Sequence, residues 1–172
     1  MTISSLAHFF RMQKEKKYGS LRGYLILYIG LCMKFILSVE HRPKGVGKPV
    51  RRCTDFNDSY VRSDMDYFYI SAKKPDGELV GQACIEKDSN YIFSVSVNPD
   101  YQRIGLGKIL MKKAEQFATG DIFLRVSKNN LKVLDFYKKL DYELYNEDEE
   151  NLILRKDKRL LIFESVLKSS RY

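Results

Sequence analysis

The 172-residue chain is short of the side chains on which much enzyme chemistry rests. Its three cysteines, Cys32, Cys53 and Cys84, are widely spaced and form no CxxC pair, which excludes a disulfide framework or a thiolate zinc site and fits a reducing compartment, the cytoplasm. The two histidines, His8 and His41, both lie near the N-terminus. The rest of the chain therefore has no histidine for a Ser-His-Asp triad or a facial metal triad, no metal is expected, and proton transfer falls to Tyr, Asp, Glu, Lys or Ser. Long apolar runs are missing too. The longest, YLILYIGLCMKFILSV (Tyr24 to Val39), has sixteen residues and contains Lys34, against about 20 for a membrane-spanning helix. It also lacks the small-residue cleavage site of a signal peptide. It reads as a buried or interface helix covering the domain, ahead of membrane attachment or a strand. Finally, RPKGVGKPVRR (Arg42 to Arg52) has a Gly-Lys but not the GxxxxGK[ST] spacing of a phosphate loop, since Pro49 follows Lys48; its prolines and glycines mark a linker.

What is present is enough apolar material for one core: 44% of residues are hydrophobic and 13% aromatic. The net charge of +8 is unevenly spread. Residues 1–52 carry eleven Lys/Arg against two acids, Glu15 and Glu40, whereas the remainder carries nineteen against twenty. Such a front segment meets something acidic, be it a nucleic acid, an anionic surface or a cofactor's phosphates, or else is simply a solvated basic face. The division expected is a basic, apolar extension over 1–48, helical and packed on the core, followed by a domain over 49–172.

Beyond the linker the periodicity is clear. DYFYISAKK (Asp66 to Lys74) and ELVGQACIEK (Glu78 to Lys87) flank Pro75-Asp76-Gly77 and read as an antiparallel hairpin. YIFSVSVN follows as a half-buried strand, with Tyr91, Phe93, Val95 and Val97 alternating with Ile92, Ser94, Ser96 and Asn98. Leu106, Ile109, Leu110, Ala114 and Phe117 then fall at helical spacing, with Gly120 as a stop, before the strand DIFLRVS (Asp121 to Ser127). Strand, helix and strand at this length predict a βαβ crossover. A second helix is capped by Asn129 or Asn130, YELYN and NLILRK close a hairpin, and the tail DKRLLIFESVLKSSRY reads as helical. The fold class expected is α/β: a mixed, mostly antiparallel central sheet with a central βαβ unit and flanking helices.

The stretch VNPDYQRIGLGKIL (Val97 to Leu110) carries the chemistry. A strand that ends at Pro99, turns through Gly105 and Gly107 and launches a helix offers unpaired main-chain N–H groups at a helix N-terminus. Glycines let a phosphate approach closely, and Arg103 and Lys108 add charge at the rim. A pyrophosphate suits such a turn. The order Gln102-x-x-Gly105-x-Gly107 is not the dinucleotide GxGxxG.

This spacing resembles the GNAT N-acetyltransferase superfamily, whose acetyl-CoA loop reads (Arg/Gln)-x-x-Gly-x-(Gly/Ala) after a V-x-P strand end. VSKNNLKVLDFYKKLDYEL (Val126 to Leu144) is similar to that family's second signature, here Asn130, Phe136 and Tyr137, and VRRCTDFND (Val50 to Asp58) looks like its first strand and turn. The resemblance implies an acetyltransferase moving an acetyl group from acetyl-CoA to a primary amine. Val95 and Val97 would pair through their main chains with the pantetheine arm and acetyl carbonyl. Gln102, Arg103, Ile104, Gly105, Leu106 and Gly107, with Lys108, would hold the pyrophosphate, Asn130 would line the arm, and Tyr137 would protonate the departing thiolate. The plainer readings are a core aromatic for Tyr137 and an ordinary turn for the two glycines. Other classes that the sequence leaves open are a non-catalytic acyl-CoA-binding module and a nucleic-acid-associated protein using the basic front. Strand edges and the apolar front are compatible with a homodimer.

Three departures stand out. Arg125 occupies the position where family members acting on protein N-termini often carry a Glu base, leaving Glu86, Asp88 or a water chain to Ser94 or Ser96 as weaker candidates. Asp141 stands where a Gly usually closes the second helix. And only about ten residues separate VRRC from MDYFY, where the family's acceptor-site helices normally lie, so residues 4–39 are expected to fold against the core and shape the acceptor site.

Overall fold

The structure, a computed structural model, describes residues 12–15, 22–29, 33–45, 49–51, 59–61 and 63–159. Eleven strands fall in chain order: β1 (Met12–Glu15), β2 (Arg22–Ile29), β3 (Met33–Arg42), β4 (Pro49–Arg51), β5 (Ser59–Val61), β6 (Tyr67–Lys73), β7 (Leu79–Glu86), β8 (Tyr91–Val97), β9 (Ile122–Ser127), β10 (Glu143–Glu147) and β11 (Asn151–Lys156). Helices α1 (Leu106–Glu115) and α2 (Leu131–Lys138) lie among the described residues beside them. Nine strands form one sheet in the order β1-β2-β3-β6-β7-β8-β9-β11-β10, and β4 and β5 pair separately. The expected mixed, mostly antiparallel sheet with a central βαβ unit is present: β8 and β9 are parallel and α1 crosses between them, whereas every other pairing is antiparallel.

The Pro75-Asp76-Gly77 turn joins β6 to β7 as predicted, with Gly77 at φ +93°. The closing hairpin of β10 and β11 also forms. The apolar run from Tyr24 to Val39 does not form the expected helix. It is a β-hairpin in which Ile29 pairs with Met33, and β3 then pairs with β6 from Ile36–Lys73 to Arg42–Tyr67. Phe35 and Leu37 of β3, 1% and 2% exposed, belong to the main core. The front segment therefore lengthens the sheet; β3 is a core strand and not a removable cover. Val50 to Arg51, expected to open the domain's sheet, lie instead in β4, which pairs only with β5. The tail beyond residue 159 lies outside the described residues, as do Cys32, Cys53 and His8.

The helix-bearing face of the sheet holds the main core: Ile70, Ala72, Ala83, Ile85, Ile92 and Leu124 meet Leu106, Leu110, Met111 and Ala114 of α1, with Tyr137, Leu140 and Tyr142 beside them. α1 begins at Leu106, rests its 3.6-period apolar stripe on this surface, and ends at Glu115, before Phe117 and the expected stop at Gly120. At its C-terminal end Glu115 is buried with Lys156 of β11. Lys156 Nζ donates to both carboxylate oxygens at 3.4 and 3.3 Å, and the Tyr142 hydroxyl donates to Oε1 at 3.1 Å. A second, smaller cluster of Tyr67, Tyr69 and Cys84 lies on the other face, with Met65 and Phe93 against it. There the Arg42 guanidinium lies 4.0 Å from the Tyr69 ring centroid and donates to Tyr67 Oη at 3.4 Å and Glu40 Oε2 at 3.2 Å. Among the described residues no helix is long and apolar enough to cross a membrane, and no three His, Cys, Asp or Glu side chains are placed to hold a metal ion.

Candidate functional site

The strand β8 is not the regular alternation that its sequence suggests. Gln82 pairs with Ser96 and Cys84 with Phe93, so Ser94 and Val95 stand opposite Ala83 alone, a β-bulge with Ser94 at φ +53°. The phase of the strand changes across it. Ile92 is buried in the main core and Phe93 packs on the opposite cluster, yet Val95 and Val97 return to the main core side. Phe93 and Val95 therefore do not share a face, contrary to the alternation expected.

Immediately before the bulge, β8 and β9 are paired only at Tyr91–Phe123 and Ile92–Leu124. Beyond those two pairs β9 continues to Ser127 against β11, and β8 continues to Val97 against β7. The two strands thus part like a fork. The Asn98 N–H donates to the Val80 carbonyl at 2.9 Å, which turns the main-chain groups of Asn98, and by alternation those of Ser96, toward β7. The main-chain groups of Val95 and Val97 accordingly face the open side of the fork.

At the end of β8 a single 3-10 turn over Pro99–Tyr101 leads into the glycine turn. Exposed Gln102 reaches back, its Nε2 donating to the Val97 carbonyl at 3.0 Å. Arg103 (φ +62°) and Gly105 (φ +88°) both adopt left-handed backbone, and Gly105 is the N-cap of α1. Nothing lies within 4 Å of where a Gly105 Cβ would stand, so glycine is there for conformation and for open approach, not for packing. Gly107 differs: a Cβ there would stand 3.3 Å from Phe136 Cζ and 3.8 Å from Val97 Cγ2. The side chain of Leu106 is 1% exposed and serves the core, and Ile104 packs against that core. Arg103 and Lys108 are exposed around the turn. The first amides of α1, which have no acceptor within their own helix, point into it.

α2 supplies the remaining predicted residues. Of the two caps offered by the sequence, Asn130 is the one used, its Oδ1 accepting from the Val133 N–H at 3.3 Å. Tyr137 is 6% exposed and touches Phe136 and Tyr142 edge-on, with ring centroids 5.2 and 5.8 Å away. Burial, with Tyr91 adding, pushes its phenol up to about 12. Asp141 takes the left-handed position (φ +65°) that closes α2, and the Tyr142 N–H reaches the Tyr137 carbonyl at 3.2 Å.

The acetyltransferase (GNAT) family model matches residues 33–142, well over half of the chain. The chain belongs to the GNAT acetyltransferase family. The match begins at β3, which agrees with that strand's place in the core sheet, and includes both the glycine turn and α2. Among curated proteins, the chain is 30% identical over 106 residues to the Drosophila melanogaster "Probable N-acetyltransferase san". That alignment covers 49% of this chain, and the chain spans only 57% of the relative's length. Among solved structures, the PaiA N-acetyltransferase of Thermoplasma acidophilum in complex with coenzyme A is 21% identical, with TM-score 0.47 over 54% of this chain and 61% of that one. Arabidopsis thaliana NAA60 in complex with a bisubstrate analogue is 17% identical, with TM-score 0.47 over 54% and 75% respectively.

Two groups of residues escaped the sequence reading. Gln82, fully buried in an otherwise apolar strand, donates from Nε2 to Ser94 Oγ at 2.8 Å and accepts at Oε1 from the Tyr69 hydroxyl at 3.0 Å. A lone amide inside VGQAC was the available signal. Arg42 and Glu40 sit on the same face of the sheet, and their position follows from β3 being a strand. Arg125, at the position of the missing Glu base, is held in an ion pair with Asp148, and of the candidate bases Glu86 accepts from the Ser89 hydroxyl.

Proposed function

We propose that the chain transfers an acetyl group from acetyl-CoA to a primary amine by direct attack. One observation carries the reading: the parting of β8 from β9 leaves the main-chain groups of Val95 and the Val97 N–H facing an open fork, with the Val97 carbonyl held by Gln102, and the glycine turn and α2 flank that fork. The pantetheine arm would lie along β8 as an added strand, and the pyrophosphate would rest on the main chain of Gln102 to Gly107 with Arg103 and Lys108 at the rim. The Asn130 side chain would meet the arm through Nδ2, since its oxygen caps α2.

Attack on a thioester passes through a tetrahedral oxyanion, which main-chain N–H donors of β8 would stabilise. Tyr137, whose burial keeps its proton on well past neutrality, would donate to the leaving thiolate. Its protonated phenol cannot be the base. With Arg125 neutralised by Asp148, the acceptor amine is best one whose own pKa leaves it partly neutral at working pH. Of the front segment, β3 builds the core and β1 and β2 extend the sheet on its flank; we assign the acceptor wall to this flank. The test is calorimetric titration of acetyl-CoA into the protein beside a Gly105→Glu variant, followed by an amine screen that measures free thiol release. Binding that the variant loses supports the reading; a folded wild type that binds no acetyl-CoA overturns it.

A further inference from the structure

We propose that Gln82 is a positioning residue: its hydrogen bonds to Ser94 and Tyr69 lock the bulge in β8 and so set the opening into which the acyl-CoA arm would fit, an inference that rests on the cofactor reading above.

Serine disfavours the left-handed region, and a residue stays there only when its surroundings hold it. At Ser94 (φ +53°), between the pairs Cys84–Phe93 and Gln82–Ser96, the side chain that reaches it is Gln82: its Nε2 donates to the hydroxyl at 2.8 Å and to the Ser94 carbonyl at 3.4 Å. Gln82 is itself fixed, being fully buried with its oxygen accepting the Tyr69 hydroxyl at 3.0 Å. Tyr69 is in turn held under the Arg42 guanidinium. The chain Arg42, Tyr69, Gln82, Ser94 thus runs across β3, β6, β7 and β8 and ends two residues after the last β8–β9 pair, Ile92–Leu124.

A bulge at that place bends β8 and raises its twist. It also shifts the strand's phase, so that Val95 rather than Ser94 follows Ile92 on the core side. Without the bulge, Val95 and Val97 would exchange faces with their neighbours and their main-chain groups would turn toward β7. The amide of Gln82 therefore decides which main-chain groups the fork presents, without itself facing the fork.

The experiment compares wild type with Gln82→Leu, Ser94→Gly and the double variant, using NMR backbone shifts at position 94 and calorimetric titration of acetyl-CoA. Glycine takes positive φ unaided, so Ser94→Gly removes the need for the lock. Gln82→Leu is expected to lose the left-handed signature at Ser94 and to weaken acetyl-CoA binding about ten-fold or more. Ser94→Gly should bind like wild type, and the double variant should return to within about three-fold of it. A thermal melt of each variant separates this from general damage: a merely structural Gln82 would lower stability in both backgrounds with no rescue of affinity. Retention of the signature or of affinity in Gln82→Leu, or no rescue in the double variant, overturns the inference. If Ser94 shows the signature in a wild type that binds no acetyl-CoA, the cofactor reading fails and the positioning role with it, whereas intact binding by Gln82→Leu overturns the positioning role alone.

Discussion

Gly107 of α1 and Phe136 of α2 meet where a single added carbon would stand 3.3 Å from the ring, so the two helices that flank the fork are spaced by the absence of a side chain. Enlarging that position overpacks the joint. Gly107→Val should lower stability by about 1–3 kcal/mol, read as a fall in melting temperature, and Phe136→Leu in the same chain should restore part of it.

Gly105 tests the other use of glycine. Its Cβ would meet nothing, but its φ of +88° is costly for any other residue. Gly105→Ala should cost about 1–2 kcal/mol of stability while leaving α1 in place, as judged by denaturant unfolding and far-ultraviolet circular dichroism. Asp141 is the reverse case, a side chain held at φ +65°. Asp141→Gly should stabilise by about 1 kcal/mol.

The phenol of Tyr137 predicts two pH effects. Its pKa is raised to about 12 by burial, so its proton, and the stability linked to it, is fully present below the ordinary tyrosine value near 10 and is lost as pH rises through about 12. Alkaline melts should show stability falling above pH 10, and Tyr137→Phe should flatten that fall. On the transfer reaction, Tyr137→Phe should lower kcat by about 10²-fold or more with little change in KM for acetyl-CoA. The wild-type rate should rise with pH as the acceptor amine loses its proton, with no descending limb below pH 10.

Glu115 and Lys156 are buried together, and burial raises the Glu115 pKa against the opposing pull of Lys156 and Tyr142. Lys156→Met would leave the carboxylate without its cation, at a cost of about 3–5 kcal/mol. The sign with pH follows: Glu115 in the variant binds its proton more tightly folded than unfolded, so stability falls as pH rises past the ordinary carboxylate range. Urea unfolding at pH 5 and pH 8 should show the larger loss at pH 8.

How much of this was legible beforehand depends on whether the signal was local. Pro75-Asp76-Gly77, the first turns of the α1 stripe and the Asn130 cap are short-range patterns, and each lies where it was read, whereas β8 keeps its place but not its alternation. The run from Tyr24 to Val39 misled because sixteen nearly unbroken apolar residues carry no period that separates a buried hairpin from a buried helix. Gly30, a break in the apolar sequence, was the hint. The bulge at Ser94 had no local hint at all, since the side chains that hold it come from β6 and β7. For the candidate site, the glycine turn and α2 could be read from motif spacing, but the fork needed the pairing of β8 with β9.

That pairing has a consequence for how the molecule comes apart. Two residue pairs are the whole ladder between one antiparallel block, β1-β2-β3-β6-β7-β8, and another, β9-β11-β10. Each block is held by antiparallel ladders, and α1 is the covalent strap that ties the two. The seam is thus the weak line along which local opening should begin, and amide exchange should divide the sheet into two cooperative units there. A molecule bound in the seam acts as the missing rungs of the ladder, and with it in place the two units should exchange as one.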